Sequence, residues 1–123
     1  MGLDMTFVAC PHDEYIYESE NKEHIYYFRK HSDLNGFLQT LWLEKHPGRD
    51  PEDFNLKHMR ITSDTLEEIK RFVDTPSQER EKYEGFFWGK SDEDMWEATR
   101  EQCIPAIEEA IEAGKKVYYH PYW

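Results

Sequence analysis

Three adjacent basic side chains, Arg29-Lys30-His31, with Asn35 one helical turn further on, are the residues of this chain best suited to hold an anion. A guanidinium grips an oxyanion with two parallel N–H groups, an ammonium adds a point charge, an imidazole donates or stacks, and a neutral amide completes the hydrogen bonding. The cluster falls where an aromatic strand hands over to a helix. Helix N-terminal N–H groups are unpaired there and the dipole favours negative charge, so the two effects add. Arg60, with Thr62, stands just ahead of another helix and would close the same pocket. In Gly85-Phe86-Phe87-Trp88-Gly89, Phe87 or Trp88 would give a stacking platform for a purine or nicotinamide-like ring, worth roughly 1–3 kcal/mol. Each feature also has a plainer reading. The cations would be a solvated strand end pairing with nearby carboxylates, Arg60 and Thr62 surface residues, and the aromatic block core packing.

Other chemistry finds less support. Cys10 and Cys103 lack CxxC spacing and read as two reduced thiols, with a disulfide or redox pair as the alternative. Cys10-x-His12 has only His120 or His24 as distant co-ligands, which is no metal spacing. There is no nucleophile elbow, no phosphate-binding loop and no dinucleotide glycine fingerprint, so no cofactor and no catalytic residue is assigned.

The elements that must position these residues follow from periodicity. Leu3 to Ala9 reads as a first strand, with Leu3, Met5 and Phe7 on one face. The acidic stretch from His12 to Glu23 is a hairpin-like excursion, and His24 to Arg29 returns as a second strand. Leu34, Phe37, Leu38, Leu41 and Trp42 then form a helical stripe, capped by Ser32 or Asp33 and stopped by His46-Pro47-Gly48. Gly36 inside that helix costs about 1 kcal/mol against Ala and suggests close approach of another group. Arg49 to Phe54 is a polar loop, and Asn55 to Thr62 alternates but is too polar for a firm strand.

Ser63-Asp64-Thr65 opens a second helix, with Asp64 and Glu67 at the spacing of a capping box variant. Asp74 to Glu84 is an exposed loop or frayed extension. The Gly85 to Gly89 block reads as a short buried strand. Ser91-Asp92-Glu93-Asp94 starts the longest helix, which Pro105 should kink or divide before Gly114 closes it. Val117, Tyr119 and Trp123 alternate along a last strand, where Pro121 favours a sheet edge. The order of elements predicts an α+β fold over residues 1–123 as a single domain: a small, mostly antiparallel sheet of about four strands with three helices mainly on one face.

Composition narrows the partners. A net charge of −11 and a pI near 4.9 oppose direct nucleic-acid or anionic-membrane binding, because the long-range field repels both. No run approaches the roughly 20 apolar residues of a membrane span, and no secretory leader pattern is present. A local cationic pocket inside an acidic shell remains compatible with that field.

Four ordered blocks, Met1-Gly2-Leu3-Asp4-Met5, Tyr27-Phe28-Arg29-Lys30-His31-x-Asp33-Leu34-x-Gly36-Phe37, Gly85-Phe86-Phe87-Trp88-Gly89 and Val117-Tyr118-Tyr119-x-x-Tyr122-Trp123, together resemble a family of small bacteriophage and prophage proteins. The resemblance implies a phage origin and a cytoplasmic life in an infected bacterial host, and it brings no catalytic assignment. Asn35 stands where a histidine is frequent in that family, and Trp88 where a third phenylalanine is frequent.

Taken together, these features favour a phage accessory protein that binds a small anionic ligand without turnover. The ligand would be a nucleotide or a nucleotide-derived host immune signal, held by Arg29, Lys30, His31, Asn35, Arg60, Phe87 and Trp88. Two alternatives stay open: an acidic interaction protein that inhibits a host enzyme, and a small nucleotide hydrolase. The aromatic C-terminal edge would serve a homodimer.

Overall fold

The computed structural model describes residues 2–76, 78–83 and 88–123. One antiparallel sheet is built from β1 Asp4–Cys10, β2 Glu23–Arg29, β3 Met59–Ile61 and β4 Lys116–Tyr122, in the spatial order β2-β1-β4-β3. Alternation sorts the faces of β1. Leu3, Met5, Phe7 and Ala9 enter the main core, whereas Val8 and Cys10 join Ile16 of the following loop in a small cluster. The helices α1 Ser32–Lys45 and α2 Ser63–Asp74 bury their apolar stripes in that same main core. So does a helical run made of α3 Glu93–Ala98, a π-turn at Thr99–Cys103 and α4 Ile104–Glu112. The α+β architecture expected from the sequence is therefore present.

Several local expectations are corrected. The fourth strand is β3, drawn from the stretch that looked too polar. Only Met59 and Ile61 face the core while Arg60 is exposed, which suffices for a three-residue edge strand. The strand expected at Gly85 to Gly89 lies largely outside the described residues. β4 is interior rather than an edge, since β1 and β3 flank it, so the C-terminal strand offers no free edge for self-pairing over its paired length. Pro121 is tolerated because β3 pairs only with Val117 to Tyr119, and beyond them the Leu56 N–H donates to the Pro121 carbonyl at 2.8 Å.

Pro105 does divide the last helical run. The π-turn just before it widens the helix where the proline ring has no N–H to offer Glu101.

Caps also move. Thr62, not Asp64, caps α2, its hydroxyl accepting the Thr65 N–H at 3.2 Å. Neither Ser32 nor Asp33 caps α1 through its own side chain. The Asp33 N–H instead donates to the Ser91 hydroxyl at 2.9 Å, so a residue 58 positions away supplies the cap. The cap expected before the last helix is present as Asp92, which accepts the Met95 N–H at 2.9 Å. The close approach expected at Gly36 comes from Tyr83: a Cβ on Gly36 would stand 1.9 Å from the Tyr83 Cγ. No described helix is long and apolar enough to cross a membrane.

Candidate functional site

The corner between β2 and α1 is organised by Lys30. Its φ of 60° lies in the left-handed region, uncommon for a residue that carries a Cβ. Its N–H donates to the Leu3 carbonyl at 2.8 Å. That turn separates the three cations of the sequence. Arg29 stays exposed on the edge strand, and the Lys30 stem runs along Gly2 and Gly89. His31 swings inward until none of its surface is exposed.

The proton positions around His31 follow from its partners. The Thr99 hydroxyl donates to the Met95 carbonyl at 2.7 Å, so its oxygen must accept from His31 Nε2–H at 3.0 Å. Nδ1 then carries the lone pair and accepts the Ser91 hydroxyl at 2.7 Å. Ser91 in turn receives the Asp33 N–H. The ring stands edge-on to Phe28 and Trp96, at 4.9 and 4.6 Å. Burial, with help from the charge of Arg80, pushes its pKa down to about 3, so it is neutral at physiological pH.

Asn35 is likewise internal, its Oδ1 accepting the Tyr119 hydroxyl at 2.5 Å, and burial drives that phenol well above its usual range. His31 and Asn35 therefore form a neutral polar seam that ties α1, β4 and the last helical run together. They do not converge with Arg29 and Lys30 on an anion. Trp88 packs edge-on to Trp123 at 5.1 Å, Thr62 is occupied as a helix cap, and Phe87 lies outside the described residues.

Two hollows merit comparison. One, of about 510 Å³, is lined by Arg80, Lys82 and Lys90 but also by Asp33, Asp92 and Glu93, so its charges balance. Arg80 is further committed, lying 3.8 Å over Trp96 and donating to the Val73 carbonyl at 3.3 Å.

The other, of about 420 Å³, is lined by Lys45, Arg49, Lys57 and Arg60 together with His46, His58, Tyr17, Trp42 and Met59. Among the described residues no carboxylate lines it. Asp53 pairs with Arg49 at 3.0 Å from outside, whereas Lys45, Lys57 and Arg60 enter no ion pair among the described residues. The helix end explains only part of this. Lys45 complements the negative C-terminus of α1, but Arg49, Lys57 and Arg60 belong to the loop and strand beyond it.

Of the residues expected at an anion site, this hollow contains only Arg60. His58 sits beneath it, stacked on His120 at 4.1 Å and 13°, with its pKa pushed down to about 4 by burial and then by His120 and Lys22. Its Nδ1 is buried without a hydrogen-bond partner among the described residues.

The alternation of His58 and Arg60 along one face was the available signal for this site, obscured because Lys45 and Arg49 arrive from a different element. Among the described residues no group of three or more His, Cys, Asp or Glu side chains could hold a metal ion, and Cys10 and Cys103 are buried free thiols. This chain matches no protein-family model, no curated protein and no solved structure.

Proposed function

We propose that the protein binds a small anionic ligand of the nucleotide class without turnover, and that the cationic hollow between the end of α1 and β3 is where it does so. The observation that carries this reading is the sign of the lining: four Lys and Arg side chains and, among the described residues, no carboxylate, in a chain whose net charge is −11. Arg49 is paired with Asp53, but Lys45, Lys57 and Arg60 have no ion-pair partner among the described residues, and an anion bound here would offset their mutual repulsion.

Binding is favoured over hydrolysis by what the lining lacks. Among the described residues it holds no Ser, Cys or carboxylate to act as nucleophile, and His58, with its pKa pushed down to about 4, is a poor proton acceptor around neutrality. A sequestering role in the cytoplasm of a phage-infected bacterium suits these features.

The test is capture and release. The protein is incubated with mono-, di- and cyclic nucleotides, freed of excess by gel filtration, and heated to expel what it holds. A binder returns the compound intact, and a hydrolase returns it cleaved. A protein inhibitor of a host enzyme captures nothing and instead retains a host protein in a pull-down. Lys57→Ala with Arg60→Ala should abolish capture, whereas Arg29→Ala with Lys30→Ala should leave it unchanged.

A further inference from the structure

We infer that the hollow reads a ring as well as a charge: the outer face of His46 is a stacking platform for a planar heteroaromatic ring, so that the ligands are nucleotides rather than bare phosphates or sugar phosphates. This deepens the anion-binding reading above and rests on it. The starting point is the end of α1. Trp42 is 5% exposed, and His46, one turn further on, lies against it with ring centroids 4.4 Å apart and 22° between the planes. One face of the imidazole is thereby spent on the indole. His46 is nevertheless exposed and lines the hollow, so its exposure belongs to the second face and the edges. A ligand ring laid there would extend the pair into a stack of three.

The platform is fixed before any ligand arrives. A carbonyl only accepts, so the His46 Nδ1–H donates to the Trp42 carbonyl at 2.8 Å, and this bond together with the stack sets the orientation of the ring. The His46 backbone N–H donates to the Leu43 carbonyl at 3.2 Å, and its own carbonyl accepts the Arg49 N–H at 3.2 Å. A side chain already held in place loses little freedom on stacking, so more of the contact appears as affinity.

Tyr17 brings a second ring into the same lining from another element. It is 57% exposed, meets His58 edge-on at 4.8 Å and is tilted against Tyr15 at 5.2 Å, so neither neighbour lies flat on it. Its loop is anchored by the buried Ile16 and by the Ser19 hydroxyl, which donates to the Glu14 carboxylate at 2.7 Å. The charge comes from Lys45, beside His46 in the chain, and from Lys57 and Arg60, none of which enters an ion pair among the described residues. An imidazole face and unpaired cations in one hollow of about 420 Å³ suit the two ends of a nucleotide. A bare phosphate would use only half of that lining.

Calorimetric titration of the full chain with two pairs of compounds, each pair equal in phosphate count, tests this: AMP against ribose 5-phosphate, and ATP against inorganic triphosphate. In at least one pair the compound with the ring should bind about tenfold more tightly or better than the one without. His46→Ala should remove most of that preference and leave binding of the ringless partner within about twofold, with unchanged circular dichroism showing that the variant folds. His46→Phe, which keeps a flat face, should retain the preference to within about threefold.

Equal binding within both pairs would mean that the ring is not read, and the inference then fails while the anion-binding reading stands. A ring preference that survives His46→Ala would place the ring elsewhere, and one that is lost in His46→Phe would assign it to the imidazole nitrogens; either overturns the platform. If none of the four compounds binds, the underlying reading fails with it.

Discussion

His31 and His58 are both neutral histidines among aromatic rings, yet their surroundings differ in kind. Around His31 both ring nitrogens are committed: Nε2–H to Thr99 and Nδ1 to the Ser91 hydroxyl, which also accepts the Asp33 N–H. Around His58 one ring nitrogen has no partner among the described residues, and of the neighbouring cations only Arg49 is held by an acid. Burial depresses both pKa values, so a shifted histidine by itself does not mark a site. What distinguishes the His58 side is its charge: Lys45, Lys57 and Arg60 without ion pairs among the described residues, against a seam of neutral groups around His31.

The largest effect should come from breaking the satisfied side. His31→Ala removes a ring packed between Phe28 and Trp96, and takes from the Ser91 hydroxyl its acceptor and from the Thr99 oxygen its donor. A loss of about 3–5 kcal/mol is expected in urea unfolding. A loss under about 1 kcal/mol would show that the seam is not a tie.

Acid should do the same by degrees. His31 is pushed down to about 3 in the folded chain, against 6.5 for the free side chain. Between those values the unfolded state binds a proton that the native state refuses. Stability is therefore full above pH 6.5 and falls as pH drops toward 3, with a slope from this group approaching about 1.4 kcal/mol per pH unit. His58 adds a weaker fall over the window from 6.5 to about 4, muted by its partial exposure. Carboxylates also titrate in this range, so the comparison is with His31→Gln. Its stability curve should be visibly flatter between pH 6 and pH 4, and parallel curves would count against the assignment.

Gly36 offers a smaller and more local break. Alanine is the better helix former, yet its Cβ would overlap the Tyr83 ring. Tyr83 is also held by its N–H to the Asp33 carboxylate at 2.8 Å, so it cannot simply step aside. Gly36→Ala should cost about 1–2 kcal/mol. The same change in a Tyr83→Ala background should be neutral or stabilising, which a double-mutant cycle measures.

Much of the scaffold was legible because local periodicity dictates it. The alternation of Leu3, Met5 and Phe7 and the stripe from Leu34 to Trp42 correspond to β1 and α1. Gly36 announced a close approach, though not that Tyr83 makes it. What the sequence hid depends on single dihedral angles and distant partners. A left-handed Lys30 has no glycine to advertise it, and it is this turn that sends His31 inward and leaves Arg29 outside. The cap of α1 comes from Ser91, and the cationic hollow draws on Tyr17, the end of α1 and the approach to β3. Such convergence is a property of the folded chain, so contiguous basic residues drew attention while dispersed ones formed the site.

The smallest expected change in stability is the one that separates the two regions most sharply. Lys57 and Arg60 form no ion pair among the described residues, and Arg60 is exposed over Tyr118, so truncating either strands no buried charge. Each removal also relieves repulsion from the remaining cations of the hollow. Without ligand, Lys57→Ala and Arg60→Ala should therefore shift unfolding by less than about 0.5 kcal/mol, and toward greater stability at low salt, where screening is weak. A structural cluster would behave oppositely: its members would be held by acids, and cutting one would cost about 1 kcal/mol or more. Melting the two variants at low and high salt distinguishes these cases. A destabilisation that disappears with salt would mean that acids already neutralise the hollow, and that it has no need of an anion from outside.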